Sequence, residues 1–309
     1  MTEKYKKRMI RKAVIPAAGF GTRLLPATKA QPKEMLPIVD RPAIQYVVEE
    51  SLHAGLQDIL IITGKGKHAI EDHFDRNFEL EEELRKSGRH SALDEIRTLT
   101  TQARIHYVRQ PVLLGLGDAV RYARDHVESE SFAVLLGDTL LRPAGSCLKK
   151  LVEIHQRTGD AVLAVEEVPA DKVERYGILE VDGGRDGEYV VKRIIEKPKR
   201  EEAPSNLAAA GRYILLPEIF DILDALPPGK NNEVQLTDAL QVLAQRGKLR
   251  AYRFQGKRYD VGNKMDYVLT IMEYALARPD LKGLHEALEA MLRNGVDVMD
   301  EDFPAQGES

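Results

Sequence analysis

Four residues in one short stretch could hold phosphate oxygens. Gly19, Gly21, Arg23 and Lys33 lie within Lys12–Asp40, which reads KAVIPAAGFGTRLLPATKAQPKEMLPIVD. The two glycines, with Ala17 and Ala18 beside them, leave little side-chain bulk, so backbone can approach a ligand closely. Backbone N–H groups in such a loop can cradle phosphates, and Arg23 adds a planar cation for the same oxygens. Lys33 offers a second positive charge from the proline-stiffened run QPKEMLP. The same glycines would equally serve a plain strand-to-loop turn, so the reading depends on partners elsewhere. Two familiar motifs are excluded. The dinucleotide fingerprint G-x-G-x-x-G would need glycine at Leu24. The P-loop pattern fails at Gly64-Lys65-Gly66-Lys67, where His68 follows and Ile61 stands in place of the first glycine.

These side chains need elements to position them. Ala13, Val14 and Ile15 read as a buried strand running into the glycine loop. Ala43–Ala54 carries Ile44, Val47, Val48 and Leu52 at helical spacing and stops at Gly55. Strands are expected at Asp58–Thr63, Arg104–Val108 and Phe132–Leu136, and helices at Lys67–Phe74 and Asp118–Val127. Phe78–Thr101 reads as a charged helical insertion broken at Gly88. Such alternation implies right-handed crossovers and a mostly parallel sheet. The second half differs. Ala161–Val168, Ile178–Val181, Tyr189–Glu196 and Leu207–Leu215 read as strands, with a turn at Gly183–Gly187. Helices follow at Pro217–Leu226, Leu236–Gln245, Lys264–Ala277 and Leu281–Leu292. The expected fold is α/β: a Rossmann-like, mixed but mostly parallel central sheet flanked by helices, with a smaller β region and C-terminal helices. Such sheets bind ligands at the carboxyl ends of their strands. The loops there are the glycine loop, Arg109–Gly117 with an amide (Gln110) and glycines (Gly115, Gly117), and Gly137-Asp138-Thr139 with a carboxylate. Together they suit a nucleoside triphosphate and its metal.

The bulk numbers narrow the classes. The chain has 309 residues, 43% hydrophobic and 30% charged, with net charge −4, an ordinary globular composition with no basic footprint for nucleic acid. Its one cysteine, Cys147, excludes an internal disulfide and a cysteine-based metal cluster. No apolar run approaches the roughly 18 residues of a membrane span, and no apolar h-region follows the basic start, so a cytoplasmic protein is expected. The expected organisation is a basic leader at 1–11 and one domain at 12–278. A nucleotide-type half covers 12–145 and a mixed half 146–278. A C-terminal helix and a frayed acidic tail complete it at 279–309.

The run AAGFGTRLLPATKAQPKEMLPIVDRPAIQYVVEE resembles the bacterial UTP–glucose-1-phosphate uridylyltransferases (UDP-glucose pyrophosphorylases), a branch of the sugar-1-phosphate nucleotidyltransferases. Further blocks follow in the family's order: RQPVLLGLGDAV, LLGD, ERYGILE, IIEKPK, APSNLAAAGRYIL, NNEVQLTDAL and GKRYDVGN. The resemblance spans roughly Arg11–Tyr274. It implies UTP, glucose 1-phosphate, UDP-glucose and pyrophosphate as substrates and products, Mg²⁺ as cofactor, and a homotetramer or homodimer.

It also implies roles for single residues. Ala17, Ala18, Gly19, Gly21 and Arg23 match the triphosphate loop, and Lys33 the lysine near the α-phosphate. Gln110 matches the residue that reads the pyrimidine; an amide donates and accepts at once, as uracil requires. Gly115 matches the backbone beside the base. Asp138 and Asp260 match the metal carboxylates. Tyr176-Gly177, Glu196, Lys197 and Gly211 match the sugar-phosphate side, with Arg212 completing its wall. Two positions depart from many members: Gly137 stands in place of a proline and Val261 in place of a cysteine. Neither removes a ligand. The expected chemistry is in-line attack of a sugar-phosphate oxygen on the α-phosphorus. The competing readings are a glucose-1-phosphate thymidylyltransferase and a non-catalytic regulatory paralogue. The second conflicts with the retention of Arg23, Lys33, Asp138, Glu196, Lys197 and Asp260.

Overall fold

Val14 and Ile15 have no solvent exposure, so β1 (Lys12–Pro16) is buried on both faces, as a central parallel strand must be. The computed structural model describes residues 9–295 except 144, 228, 230 and 231. Most of the expected basic leader and the acidic tail from Asp297 onward lie outside the described residues. In chain order, β1 is followed by β2 (Asp58–Thr63), β3 (Arg104–Arg109), β4 (Phe132–Leu135) and β5 (Thr139–Arg142). Then come β6 (Ala161–Glu167), β7 (Gly177–Arg185), β8 (Glu188–Glu196), β9 (Leu207–Leu215), β10 (Leu249–Arg253) and β11 (Lys257–Asp260).

Nine of these strands form one sheet in the order β3-β2-β1-β4-β9-β6-β10-β8-β7. The sheet is mixed, as expected, but not mostly parallel, which corrects that part of the expectation. β3, β2, β1 and β4 run parallel, as predicted for the first half. In the second half only β6 and β10 pair in parallel; β9 is antiparallel to β4 and to β6, and β8 is antiparallel to β10 and to β7. The reason is local. Asp186-Gly187 joins β7 and β8 as a tight hairpin, with both residues at positive φ, and a hairpin can only make an antiparallel pair. The short strands β5 and β11 pair antiparallel outside the main sheet and set Asp260 opposite Thr139.

The helices in chain order are α1 (Ala43–His53), α2 (His68–Phe74), α3 (Phe78–Lys86), α4 (His90–Gln102), α5 (Leu116–Arg121) and α6 (Arg124–Val127). They continue with α7 (Ser146–Thr158), α8 (Ile219–Ala225), α9 (Leu236–Gln245), α10 (Lys264–Leu276) and α11 (Leu284–Asn294). They cover both sheet faces. On one face Ile15, Ile59 and Ile61 pack with Ile44, Val47 and Val48 of α1 and Leu148 and Leu151 of α7. On the other, Val14, Leu60 and Ile62 pack with Val120 of α5, Leu223 of α8 and Leu240 of α9. Gly88, at φ +69, separates α3 from α4, as the sequence predicts. The helix expected at 118–127 is instead the two short helices α5 and α6. No helix among the described residues is long and apolar enough to cross a membrane.

Candidate active site

The carboxyl ends of β1 and β4 open into a cavity of about 480 Å³. It is lined by Ala17, Ala18, Gly19, Arg23, Lys33, Gln110, Gly115, Asp138, Tyr176, Gly177, Glu196, Lys197, Gly211 and Asp260. These residues come from separate segments spread along the chain between β1 and β11. Of the sequence candidates, Gly21 and Arg212 are absent from the lining. Gly21 sits at φ +69, and a Cβ added there would lie 3.1 Å from the Lys33 Cβ. It therefore lets the loop pack under Lys33. Thr28 Oγ1 holds this turn by donating to the Gly21 carbonyl at 2.8 Å. A Cβ added at Gly19, by contrast, would meet nothing within 4 Å, so its backbone faces open space.

Lys33 and Asp138 form the charged centre. Lys33 Nζ lies 2.5 Å from Asp138 Oδ2. Burial alone would lower the lysine pKa, but Asp138, Glu34 and Asp260 outweigh it and hold it above the ordinary value. Burial would raise Asp138, but Lys33 outweighs that in turn and holds the carboxyl below its usual range. Below Lys33, Glu34 is buried with Lys67 at 2.8 Å. Burial pushes Glu34 upward against the pull of Lys67 and Lys33. The sequence reading missed this pair; Glu34 is one residue from Lys33, but Lys67 comes from a distant loop.

The two aspartates converge. A Cβ added at Gly262 would lie 2.9 Å from Asp260 Oδ1 and 3.5 Å from Asp138 Oδ2, so both carboxylates border one small space. The Gly262 N–H donates to Asp260 Oδ1 at 2.9 Å, which fixes that side chain. The Val261 N–H donates to the Asp138 carbonyl at 3.1 Å and ties the two loops together. Two carboxylates bordering one space are a donor set that fits a hard divalent cation.

At one end of the cavity Gln110 is buried. Its Nε2 donates to Asp118 Oδ2 at 2.6 Å. A carboxylate can only accept, so Asp118 fixes which way the amide faces and leaves Oε1 as the acceptor on its other side. Asp118 was not foreseen, although the block RQPVLLGLGDAV contains it. Gly115 has φ +96, and a Cβ there would meet the Val234 carbonyl at 2.7 Å. Gly115→Ala is therefore expected to destabilise the fold by roughly 1–3 kcal/mol. Urea unfolding measures this, and an unchanged midpoint would contradict it.

At the other end Glu196 accepts from Thr237 Oγ1 at 2.6 Å and pairs with Lys197 Nζ at 3.1 Å. Lys197 has φ +44, a conformation that a non-glycine residue rarely takes and that recurs at functional sites. Arg258 stacks on Tyr176 at 4.0 Å and also lines the cavity, a cation that sequence reasoning did not single out.

Arg212 is a correction. It does not line the sugar wall; it is wholly buried beneath the cavity. Its guanidinium forks onto Glu50, with Nε 3.0 Å from Oε1 and Nη2 2.7 Å from Oε2. It also donates to the carbonyls of Thr139 at 2.7 Å and Gly211 at 2.9 Å. The β-bulge in β9 between Ala209 and Tyr213, with Gly211 at φ +74, turns Gly211 toward the cavity and Arg212 inward.

The chain belongs to the nucleotidyl transferase family, whose model matches residues 12–276. Within it, the chain is 51% identical over 278 residues to a UTP–glucose-1-phosphate uridylyltransferase of Staphylococcus haemolyticus strain JCSC1435, covering 89% of this chain and 96% of that one. It is also similar to a solved structure of UDP-glucose pyrophosphorylase complexed with UDP-glucose, at 43% identity and TM-score 0.81, covering 87% of this chain and 100% of that one. A UTP-bound UGPase from Acinetobacter baumannii shows 40% identity and TM-score 0.85 over 92% of this chain and 100% of that one.

Proposed function

We propose that the protein transfers a uridylyl group from UTP to α-D-glucose 1-phosphate, giving UDP-glucose and pyrophosphate. The observation that carries this reading is the cavity itself. It presents the glycine loop and Arg23, the Lys33–Asp138–Asp260 centre, Gln110 at one end and Glu196-Lys197 at the other. The names of the relatives support uridine and glucose as the two ends.

The reacting oxygen is a phosphate oxygen, already anionic near neutral pH, so no general base is required. The oxygen attacks the α-phosphorus, and the bond to the bridging oxygen of the β-phosphate breaks as pyrophosphate leaves. Catalysis is then positioning and charge neutralisation. The Gly19 backbone and Arg23 hold the triphosphate. Lys33 moves from Asp138 to an α-phosphate oxygen when substrate enters, which frees the carboxylate. Asp138 and Asp260 would hold Mg²⁺. When bound, Mg²⁺ supplies Lewis-acid neutralisation of phosphate oxygens. Gln110 Oε1 accepts from the uracil N3–H. Glu196 accepts from sugar hydroxyls, and Lys197 pairs with the sugar phosphate. Residues 12–145 serve mainly the nucleotide and 146–278 mainly the sugar. α10 leaves Met265, Val268 and Leu269 exposed, an apolar row that supports a homodimer or homotetramer.

The test is pyrophosphate release with Mg²⁺ from a panel of UTP, dTTP, ATP and GTP against glucose, galactose and mannose 1-phosphates. UTP with glucose 1-phosphate is expected to be fastest; a preference for dTTP would make the protein a thymidylyltransferase. Lys197→Ala should raise the KM for glucose 1-phosphate by roughly tenfold to a hundredfold, the weight of one lost charge-assisted contact, with the KM for UTP little changed. An unchanged KM for glucose 1-phosphate would remove Lys197 from that role.

A further inference from the structure

The sheet end opposite the cavity carries a second cluster of ligating side chains. Parallel register sets Asp58 beside Arg104 and Leu60 beside His106. Strand alternation then puts Asp58 and His106 on one face of the sheet. That is the face on which Leu60 packs with Val127, the last residue of α6, and α6 brings His126 over the two strands. Asp58 Oδ1 lies 3.0 Å from His126 Nε2 and 3.6 Å from His106 Nε2. Ligating atoms of the three residues all fall within 4.8 Å of one another. Asp58 Oδ1 and His126 Nε2 are withdrawn from solvent, yet neither has a hydrogen bond of good geometry. Buried polar atoms ordinarily have a partner.

We propose that Asp58, His106 and His126 form a binding site for a zinc-type divalent cation, separate from the catalytic centre. Two imidazoles and one carboxylate suit Zn²⁺, whereas Mg²⁺ prefers an all-oxygen set. Zinc bonds of about 2.0–2.2 Å place tetrahedral ligand atoms roughly 3.4 Å apart, close to both contacts at Asp58. His106 is half exposed, so a fourth position opens to water. The surrounding charges are balanced. Lys12 donates to the His126 carbonyl at 2.7 Å and faces Glu130 at 3.8 Å, while Arg104 is 3.8 Å from Asp58 Oδ2. The strands run from this cluster toward the cavity, so the ion lies at the far end from the chemistry. It ties the edge strand β3 and α6 to β2, a structural clasp.

The experiment is a calorimetric ZnCl₂ titration of the full chain with excess Mg²⁺ present, alongside the visible spectrum of Co²⁺ added in place of zinc. One zinc per chain is expected, with a tetrahedral Co²⁺ spectrum and a Tm raised by zinc. His106→Gln changes a half-exposed side chain and leaves folding intact. It should weaken zinc binding at least roughly tenfold and abolish the Tm rise. Asp138→Asn should keep both. Absence of zinc binding, equal binding by wild type and His106→Gln, or loss of binding in Asp138→Asn instead, would each overturn the site; Asp58 and His126 would then be an ordinary carboxylate–imidazole contact.

Discussion

Asp138→Asn is expected to lower kcat by roughly 10²–10³-fold or more while the chain stays folded. The side chain keeps its shape, so the loop after β4 has no steric reason to move. What changes is charge. The carboxylate that lies 2.5 Å from Lys33 Nζ becomes a neutral amide. An amide binds a divalent cation far more weakly than a carboxylate, and the pair of anions bordering the space at Gly262 is reduced to Asp260 alone. The loss should appear in kcat, with the Mg²⁺ dependence shifted to higher concentration and the KM for UTP less affected. Lys33 also loses its ionic partner, so a modest loss of stability accompanies the kinetic effect and is read separately from the thermal melt. Near-normal turnover at ordinary Mg²⁺ would remove Asp138 from the centre.

Arg212→Met should destabilise the fold by ~3–5 kcal/mol, the usual result of stripping one partner from a buried ion pair. Arg212 is 0% exposed and Glu50 2%, so water cannot replace the lost guanidinium. Methionine fills much of the volume and isolates the electrostatic loss from a cavity effect. Glu50 is left as a buried charge, the Thr139 carbonyl loses its guanidinium donor, and the Gly211 carbonyl keeps only the Leu136 N–H. The double variant Glu50→Leu, Arg212→Met should recover a large part of the loss, because a buried pair replaced as a pair is nearly neutral. Urea midpoints at constant m distinguish these outcomes. Equal destabilisation in the single and double variants would refute the pairing argument. Thr139 follows Asp138 directly, so the single variant should also reduce kcat.

The first half of the fold was legible because its signals are local. Val14-Ile15 before the glycine loop, and Ile59–Ile62 before Gly64, each announce a buried strand and where it ends. The candidate residues were legible as blocks, since each loop at the strand ends carries a short run of matched sequence. What was not legible depends on long-range pairing. Strand direction in the second half follows from which strands lie side by side, and no residue type encodes that β9 inserts between β4 and β6. The short strand β10 and helix α7 escaped notice, the one for its arginine-rich alternation and the other for its polar face. Arg212 was misread because an arginine beside a matched glycine looks like a ligand-binding cation. Its partner Glu50 is 162 residues away. The available signal was Glu50 itself, one turn beyond Val47 on the buried side of α1.

The ladder between β4 and β9, running from Arg212–Leu135 to Leu215–Phe132, makes the sheet continuous from its parallel first half to its mixed second half. Swinging one side against the other would shear that ladder and open the apolar layers above and below it. The two substrates are thus received on a single stiff plate and not between two hinged jaws. Whatever closes over them must be peripheral: the chain around Arg23 and Lys33 on one rim, and the turn at Lys197 on the other. Substitutions in the sheet centre should therefore set how long the molecule lasts, and substitutions in those rims how fast it turns over.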